Sequence, residues 1–462
     1  MLLRSGLAIG IAIGLVGPAA AETRTLQEAL ATTYANNPSL QAARAQLRSV
    51  DENVPQALAG WRPQVSFTAN AGYVDGHNYQ RAQGQTFRSN VARGTNTEQL
   101  QLTQPLYRGG QTRAGTNRAE NQVMAQRARL IASEQQVFTD TINAFVQVIA
   151  NQQVLALNIN NEQVLSRQLQ ATNDRFRVGE ITRTDVAQAE AALAGATAQR
   201  QTSEGNLQTA RAQYQRLVGE LPGALIEPQP LRLPVRGIDE AKAVAAANNP
   251  AVVAALFDES AAKDNFDLQY ARLMPNVSLQ GTVARAEDVT QKDLTNKYGE
   301  ILATLTVPIY QGGSEYSAIR QARQQQQQAR KTVDDARRTA VQQLIASWET
   351  YNSARSTIES TRAQIRSNQI ALEGVQREAI VGSRTTLDVL NAEQALLNSR
   401  VTLVQNLANL VTASYSVAAA VGRLTARDLN LNVPLYDDAA YYRAVRDRWI
   451  GTGDYATNQP GR

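Results

Sequence analysis

The chain has 462 residues and a formal net charge of +5, with no cysteine and a single histidine, His77. Disulfides, thiolate ligands, a cysteine nucleophile and a lipid-bearing cysteine are thereby excluded, and one histidine with three methionines draws no metal-ligand cluster. Aromatic residues make up only 5% while alanine and glutamine recur in tracts, which suits long, closely packed helices, and the scattered arginines form no basic block for nucleic acid.

Taken in chain order, the sequence opens with Arg4, an apolar run from Gly6 to Val16, and Ala19-Ala20-Ala21 before Glu22. That is the pattern of a signal peptide over residues 1–21. The run is too short to span a bilayer, and nothing after it approaches the ~18 apolar residues a membrane helix needs, so any later crossing must be by strands.

Beyond it the chain is a duplication. Leu26-Gln27-Glu28-Ala29, Asn36-Asn37-Pro38 and Arg62-Pro63-Gln64-Val65-Ser66-Phe67 return 212 positions later as Ile238-Asp239-Glu240-Ala241, Asn248-Asn249-Pro250 and Met274-Pro275-Asn276-Val277-Ser278-Leu279. Gln104-Pro105-Leu106-Tyr107-Arg108-Gly109-Gly110 returns 203 positions later as Val307-Pro308-Ile309-Tyr310-Gln311-Gly312-Gly313, and Val178-Gly179 as Val381-Gly382. A nine-residue difference therefore falls between the Val-Ser and Gly-Gly motifs. The expected organisation is a first repeat over 22–221, a Pro-rich linker over 222–237, a second repeat over 238–424 and an irregular tail over 425–462.

Within each repeat, alternation predicts strands from Pro63 to Tyr73 and Pro275 to Ala284, paired with Thr97 to Tyr107 and Tyr298 to Tyr310. Each is about 10 residues, the length of a tilted membrane strand. The Gly-, Asn-, Asp- and Arg-rich stretch Asp75 to Asn96, which holds His77, reads as an external loop, with His77 solvated rather than catalytic. Four strands cannot close a barrel, so copies must combine their strands.

The glycines Gly109, Gly110, Gly312 and Gly313 mark strand-to-helix turns. After them run Gln111 to Val178 and Ser314 to Val381, 68 proline-free residues each, or roughly 100 Å of continuous helix at 1.5 Å per residue. Such rods must lie against neighbours in a coiled-coil-like wall. The return helix of the second repeat carries Leu390, Leu397, Val404 and Val411 on one seven-residue row and Val389, Leu396, Leu403, Leu410 and Val417 on the next. The first repeat keeps Val186, Leu193, Leu207 and Tyr214 but places Arg200 in that row. The run Gln324 to Gln328 reads as a solvated helix face.

Together the signal peptide, the duplicated halves, Pro-x-Tyr-x-Gly-Gly, the Val-Gly turns and the segment Val381-Gly382-Ser383-Arg384-Thr385-Thr386-Leu387-Asp388-Val389-Leu390 resemble the TolC family of outer-membrane efflux proteins, from about Thr25 to Leu424. The resemblance implies a mainly α fold with membrane β: duplicated αββα-type halves, a homotrimer with a twelve-stranded β-barrel in outer-membrane lipid, and a long α-helical coiled-coil barrel across the periplasm. It implies a passive exit duct without cofactor or metal, joined by a periplasmic adaptor to an inner-membrane pump of the RND or ABC type, in multidrug efflux or type I secretion.

The same resemblance assigns three sites. Val178, Gly179, Val381 and Gly382 would form adaptor-docking tips, although glycine at a helix end is also a simple cap. Asp388 would line the periplasmic constriction as a ring of carboxylates, with Asn391 where the family has a second acid; Thr385 with Asp388, like Thr182 with Asp185, equally fits a capping box. Arg384 would be a closed-state latch residue bonding to Thr184, with Asp185 also in the latch and Ala379 where the family has a tyrosine partner.

Three rival readings are weaker. A periplasmic coiled-coil adaptor needs one hairpin and no membrane-length strands, and a diffusion porin would leave two 68-residue helical runs unexplained. An enzyme has no nucleophile with its base, and no phosphate-cradling loop, to work with.

Overall fold

In the computed structural model residues 25–459 are described; the expected signal peptide lies outside them. The first repeated motif is a helix junction. Helices α1 (Leu26–Asn36) and α6 (Ile238–Asn248) end at the Asn-Asn-Pro triplets where α2 (Pro38–Asp51) and α7 (Pro250–Ala271) begin. Proline presets φ at the first helical position and the preceding asparagine caps it. Asn37 Oδ1 accepts from the Ser39 and Leu40 amides at 3.0 and 3.3 Å, and Asn249 Oδ1 from Ala251 at 3.0 Å.

The expected rods are present as uninterrupted helices of 67 residues, α4 (Gln111–Arg177) and α8 (Ser314–Ile380), each followed by a return helix, α5 (Arg183–Val218) or α9 (Thr386–Ala420). On α9 the two apolar rows bury Val389, Leu390, Leu396, Leu397, Val411 and Val417. On α5 the row position held by Arg200 is satisfied by ion pairs, to Glu162 at 2.7 Å and Glu204 at 2.5 Å. The glutamine run 324–328 is exposed or half-buried on α8, as a solvated face should be.

By contacts the chain forms two compact units, and each draws segments from both repeats. Of the described residues, one comprises those up to Thr33, Asp140–Leu231 and Ala354–Thr412; within it Leu165, Ala196 and Leu390 join α4, α5 and α9 in one apolar cluster. The other comprises Tyr34–Thr139, Arg232–Ser353 and the described residues from Ala413 onward, and holds the sheet.

That sheet is a four-stranded antiparallel meander of β1 (Gln64–Ala82), β2 (Gln85–Tyr107), β3 (Asn276–Glu287) and β4 (Thr295–Thr306), in chain order. Register aligns Val65, Leu102, Gly281 and Ile301 in one row and Phe67, Leu100, Val283 and Gly299 in the next, and the large side chains of both rows are exposed. The row after these is Ala69, Glu98, Arg285 and Lys297, where the apolar band stops. Neither β1 nor β4 pairs on its outer edge among the described residues.

Two sequence expectations are corrected here. Asp75 to Asn96 is no loop: the ladder continues from Asp75↔Ala92 to Ala82↔Gln85, with His77 opposite Asn90. A two-residue turn, Gln83 and Gly84 at φ 50° and 82°, matches the twist of the strands, so polar residues suffice to extend the ribbon. Nor does the fourth strand reach Tyr310: it ends at Thr306, because Pro308 lacks the N–H a ladder needs.

The tail is ordered rather than wholly irregular. It contains a short helix, α10 (Ala440–Val445), and is tied down by aromatic and cationic contacts. Arg44, 1% exposed, lies 4.5 Å from the Tyr34 ring and 5.1 Å from that of Tyr436. Tyr441 donates to Glu52 at 2.8 Å, and Arg62 donates to the Arg448 carbonyl at 2.7 Å.

Asp51, the last residue of α2, is fully buried beside this tail with neither carboxylate oxygen hydrogen-bonded. Burial, against the opposing pull of Arg127, pushes its carboxyl up to about 7. A raised carboxyl pKa contributes stability below the unfolded value near 3.9, and that contribution is lost as pH rises through 7. Asp51→Asn should therefore stabilise the fold at pH 8 by roughly 4 kcal/mol and leave it nearly unchanged at pH 4. Thermal unfolding at the two pH values checks this, and equal shifts at both would refute it.

Candidate functional site

Each long helix ends in the same turn. Gly179 and Gly382 take φ of 79°, a conformation that costs glycine nothing, and two backbone bonds close each end. Gly179 N–H donates to Phe176 O at 2.9 Å and Glu180 N–H to Arg175 O at 3.0 Å; Gly382 donates to Ala379 O at 3.3 Å and Ser383 to Glu378 O at 3.0 Å. At the apex Val178 and Val381 are both 77% exposed, which leaves an apolar side chain uncovered at each tip. The glycine is thus a cap and a display platform at once.

The return helices begin with matched capping boxes. Asp185 Oδ2 accepts from the Thr182 amide at 3.0 Å and hydroxyl at 2.7 Å, while Asp185 N–H donates to Thr182 Oγ1 at 3.3 Å. Thr385 and Asp388 repeat this at 3.0, 2.9 and 3.3 Å. In each box only Oδ2 is used, so Oδ1 is left over. These bonds to Thr385, the backbone one foremost and assisted by Arg384, hold the Asp388 carboxyl below the usual carboxylate range. Those to Thr182 do the same for Asp185. Asn391 follows Asp388 one turn on and is exposed.

Arg384 does not meet Thr184 within the chain. Its Nε donates to Glu378 at 2.9 Å on its own hairpin, and Thr184 is exposed. Ala379 is buried and offers Asp185 no hydrogen bond. Sequence reading missed what the 203-residue offset makes visible afterwards: Arg175 corresponds to Glu378. Arg175 clamps Glu180 through Nε and Nη2 at 2.9 and 2.6 Å, so each tip is bridged by one Arg–Glu pair with opposite polarity in the two repeats.

At the other ends of the long helices, Gly109 and Gly110 have φ of 60° and 89° and Gly312 and Gly313 of 69° and 84°. A Cβ on Gly109 would lie 2.4 Å from Met274 Cβ, so that turn also needs close approach. His77 sits on the extended ribbon, bonded to Asn90 and Arg88 at 2.8 and 2.6 Å.

Comparison with known proteins agrees over most of the chain. A family model described as "Outer membrane efflux protein" matches residues 27–220 and 243–423. The chain is 35% identical over 433 residues to the outer membrane efflux protein BepC of Brucella suis, covering 94% of this chain and 92% of that protein. To the outer membrane protein TolC of Escherichia coli strain K12 it is 26% identical over 416 residues, with 85% and 81% covered. The fold is similar to the crystal structure of the outer membrane protein VceC of Vibrio cholerae, at a TM-score of 0.73, 21% identity and coverage of 86% and 96%.

Because Asp185 and Asp388 have depressed pKa values, the capping they provide is present above the unfolded value near 3.9 and lost as pH falls through the lower folded value. Hydrogen-exchange protection of the first turns of α5 and α9, taken relative to the unfolded chain at the same pH, should fall only on acidification below about pH 4. Protection that persisted at pH 2, or that vanished already at pH 6, would contradict this assignment.

Proposed function

We infer the working assembly from one plain fact: this chain belongs to the outer membrane efflux protein family. It is an outer-membrane exit channel of the kind that serves tripartite efflux pumps and type I secretion, and its partners are a periplasmic adaptor and an inner-membrane pump. The finer reading is a homotrimer whose twelve strands close one barrel in outer-membrane lipid, continued by a helical tunnel, with a pump of the RND or ABC type. One observation carries it: β1 and β4 each present an unpaired edge beside an exposed apolar face. An open edge in hydrocarbon costs several kcal/mol per unpaired group, so closure requires further copies. Membrane extraction followed by native mass determination tests this, and a detergent-soluble monomer would sink the trimer.

In that assembly Asp388 forms the constriction, with Asn391 beside it contributing no charge. One oxygen of Asp388 caps α9, which leaves Oδ1 for the ring, so the capping and ring roles are compatible in a single carboxylate. The bonds from Thr385 that hold its carboxyl below the usual range within one chain favour an ionised ring at neutral pH. Arg384, Thr184 and Asp185 form the closed-state latch, and Glu378 is the competing partner Arg384 takes within its hairpin. Val178, Gly179, Val381 and Gly382 meet the adaptor.

In planar bilayers Asp388→Ala should lose most of the cation selectivity and multivalent-cation block, and Asp388→Glu should keep both; an unchanged alanine variant would end the ring assignment. Arg384→Ser should raise resting conductance. Reversing the exposed tip charge in Arg177→Glu, or that of Glu180, should abolish export in cells while leaving the amount of outer-membrane protein unchanged. Export at the wild-type level would argue against docking at the tips.

A further inference from the structure

At the foot of the sheet, where β2 passes through Arg108 into α4, lies a cavity of about 580 Å³ lined by Arg108, Arg118 and Arg272 and by no carboxylate. Arg108 donates to Gly60 O at 3.4 Å and Gln111 Oε1 at 3.2 Å, and Arg118 donates to Asn265 Oδ1 at 3.0 Å. None of the three arginines forms an ion pair among the described residues, although carboxylates neutralise arginines elsewhere in the same unit. Gathering three guanidinium groups around one space without an anion is unfavourable, and the bound state that relieves it supplies negative charge.

A second observation points the same way. Thr112 is 4% exposed, lines the cavity, and has a hydroxyl with no hydrogen-bond partner; Arg118 Nε is likewise buried and unpartnered. A buried hydroxyl left unbonded costs about 1–3 kcal/mol, so its donor capacity is held ready for a ligand oxygen. A Cβ on Gly60 would stand 2.6 Å from Arg108 Nη1 and 2.7 Å from Thr112 Oγ1. Arg108 Nη1 and Thr112 Oγ1 are therefore side by side against Gly60, an approach that only a glycine permits.

We propose that this cavity binds the phosphodiester of a glycerophospholipid headgroup, with Arg108 and Thr112 on the phosphate oxygens, Arg118 behind them and Arg272 at the rim. The segments that lead into it carry exposed Trp61, Leu106 and Tyr107, which offer apolar and interfacial surface to the rest of a lipid. This favours a lipid over free phosphate. The inference rests on the placement of the strands in the outer membrane, which sets the cavity near a headgroup layer.

The test is native mass spectrometry of the full chain purified in mild detergent, titrated with phosphatidylglycerol, with diacylglycerol of the same acyl chains, and with inorganic phosphate. Phosphatidylglycerol should be retained on the wild type, diacylglycerol should not, and the Arg108→Gln/Arg118→Gln variant should bind at least tenfold more weakly. Thr112→Val should weaken binding about threefold with unchanged thermal unfolding, which separates lost binding from lost folding. Equal retention by the variants, equal retention of diacylglycerol, or saturation by inorganic phosphate with no lipid bound would overturn the proposal. Loss of oligomer instead of lipid would show that the arginines serve a neighbouring copy and would overturn it too. Fractionation of untreated cells separates the two readings: a wild-type chain absent from the outer membrane defeats the functional one whatever the titration shows.

Discussion

Backbone hydrogen bonding in hydrocarbon is the constraint on which the rest of this protein depends. Water is not there to satisfy an amide or carbonyl, so every strand must find a partner on both sides. Four strands satisfy six of the eight edges they present, and the outer edges of β1 and β4 remain. The apolar rows through Val65 and Phe67 have nothing among the described residues to cover them. Duplication doubles the strands available from one chain without closing the sheet.

The helical parts answer a related problem. A rod of 67 residues has far more surface than a return helix of 35 or 36 can cover, and exposed alanine and glutamine make the uncovered part tolerable. The ends of such rods are expensive unless their carbonyls and amides are capped. Each repeat solves this identically, with a glycine in the left-handed region, a Thr–Asp box 203 residues from its twin, and an Arg–Glu clamp. Only the clamp differs, and it differs by exchange of sign. Local stability survives that exchange because attraction within a pair is indifferent to which member is positive.

What could be read in the sequence was whatever periodicity or punctuation enforces. The long helices were legible to within one residue because nothing interrupts them, and the seam on α9 because leucine and valine recur every seventh residue. The ribbon from Asp75 to Asn96 was not, since a two-stranded ladder needs only backbone and a tight turn, and its polar composition imitates a loop. Gln83 at positive φ leaves no compositional trace. The Asn-Asn-Pro triplets were visible as a repeat but acquired meaning only with their amides in place. Arg384 was assigned by resemblance to Thr184; its partner in the chain, Glu378, is set by the turn geometry, which brings residues six apart in sequence together.

The charged row of Glu98, Arg285 and Lys297 has a consequence for the bilayer itself. From Val277 to Arg285 along β3 the register advances by four two-residue steps, roughly 27 Å along the strand at ~3.4 Å per residue, and a tilt of 35–45° would shorten its projection on the membrane normal to about 20 Å. Hydrocarbon thicker than this would have to submerge those charges or thin around the strands, and either deformation raises the energy with each added ångström. The strand chemistry thus works as a thickness gauge. It would draw the chain toward thin regions of the envelope and give neighbouring channels, which share the cost of a common thinned annulus, a lipid-mediated reason to cluster.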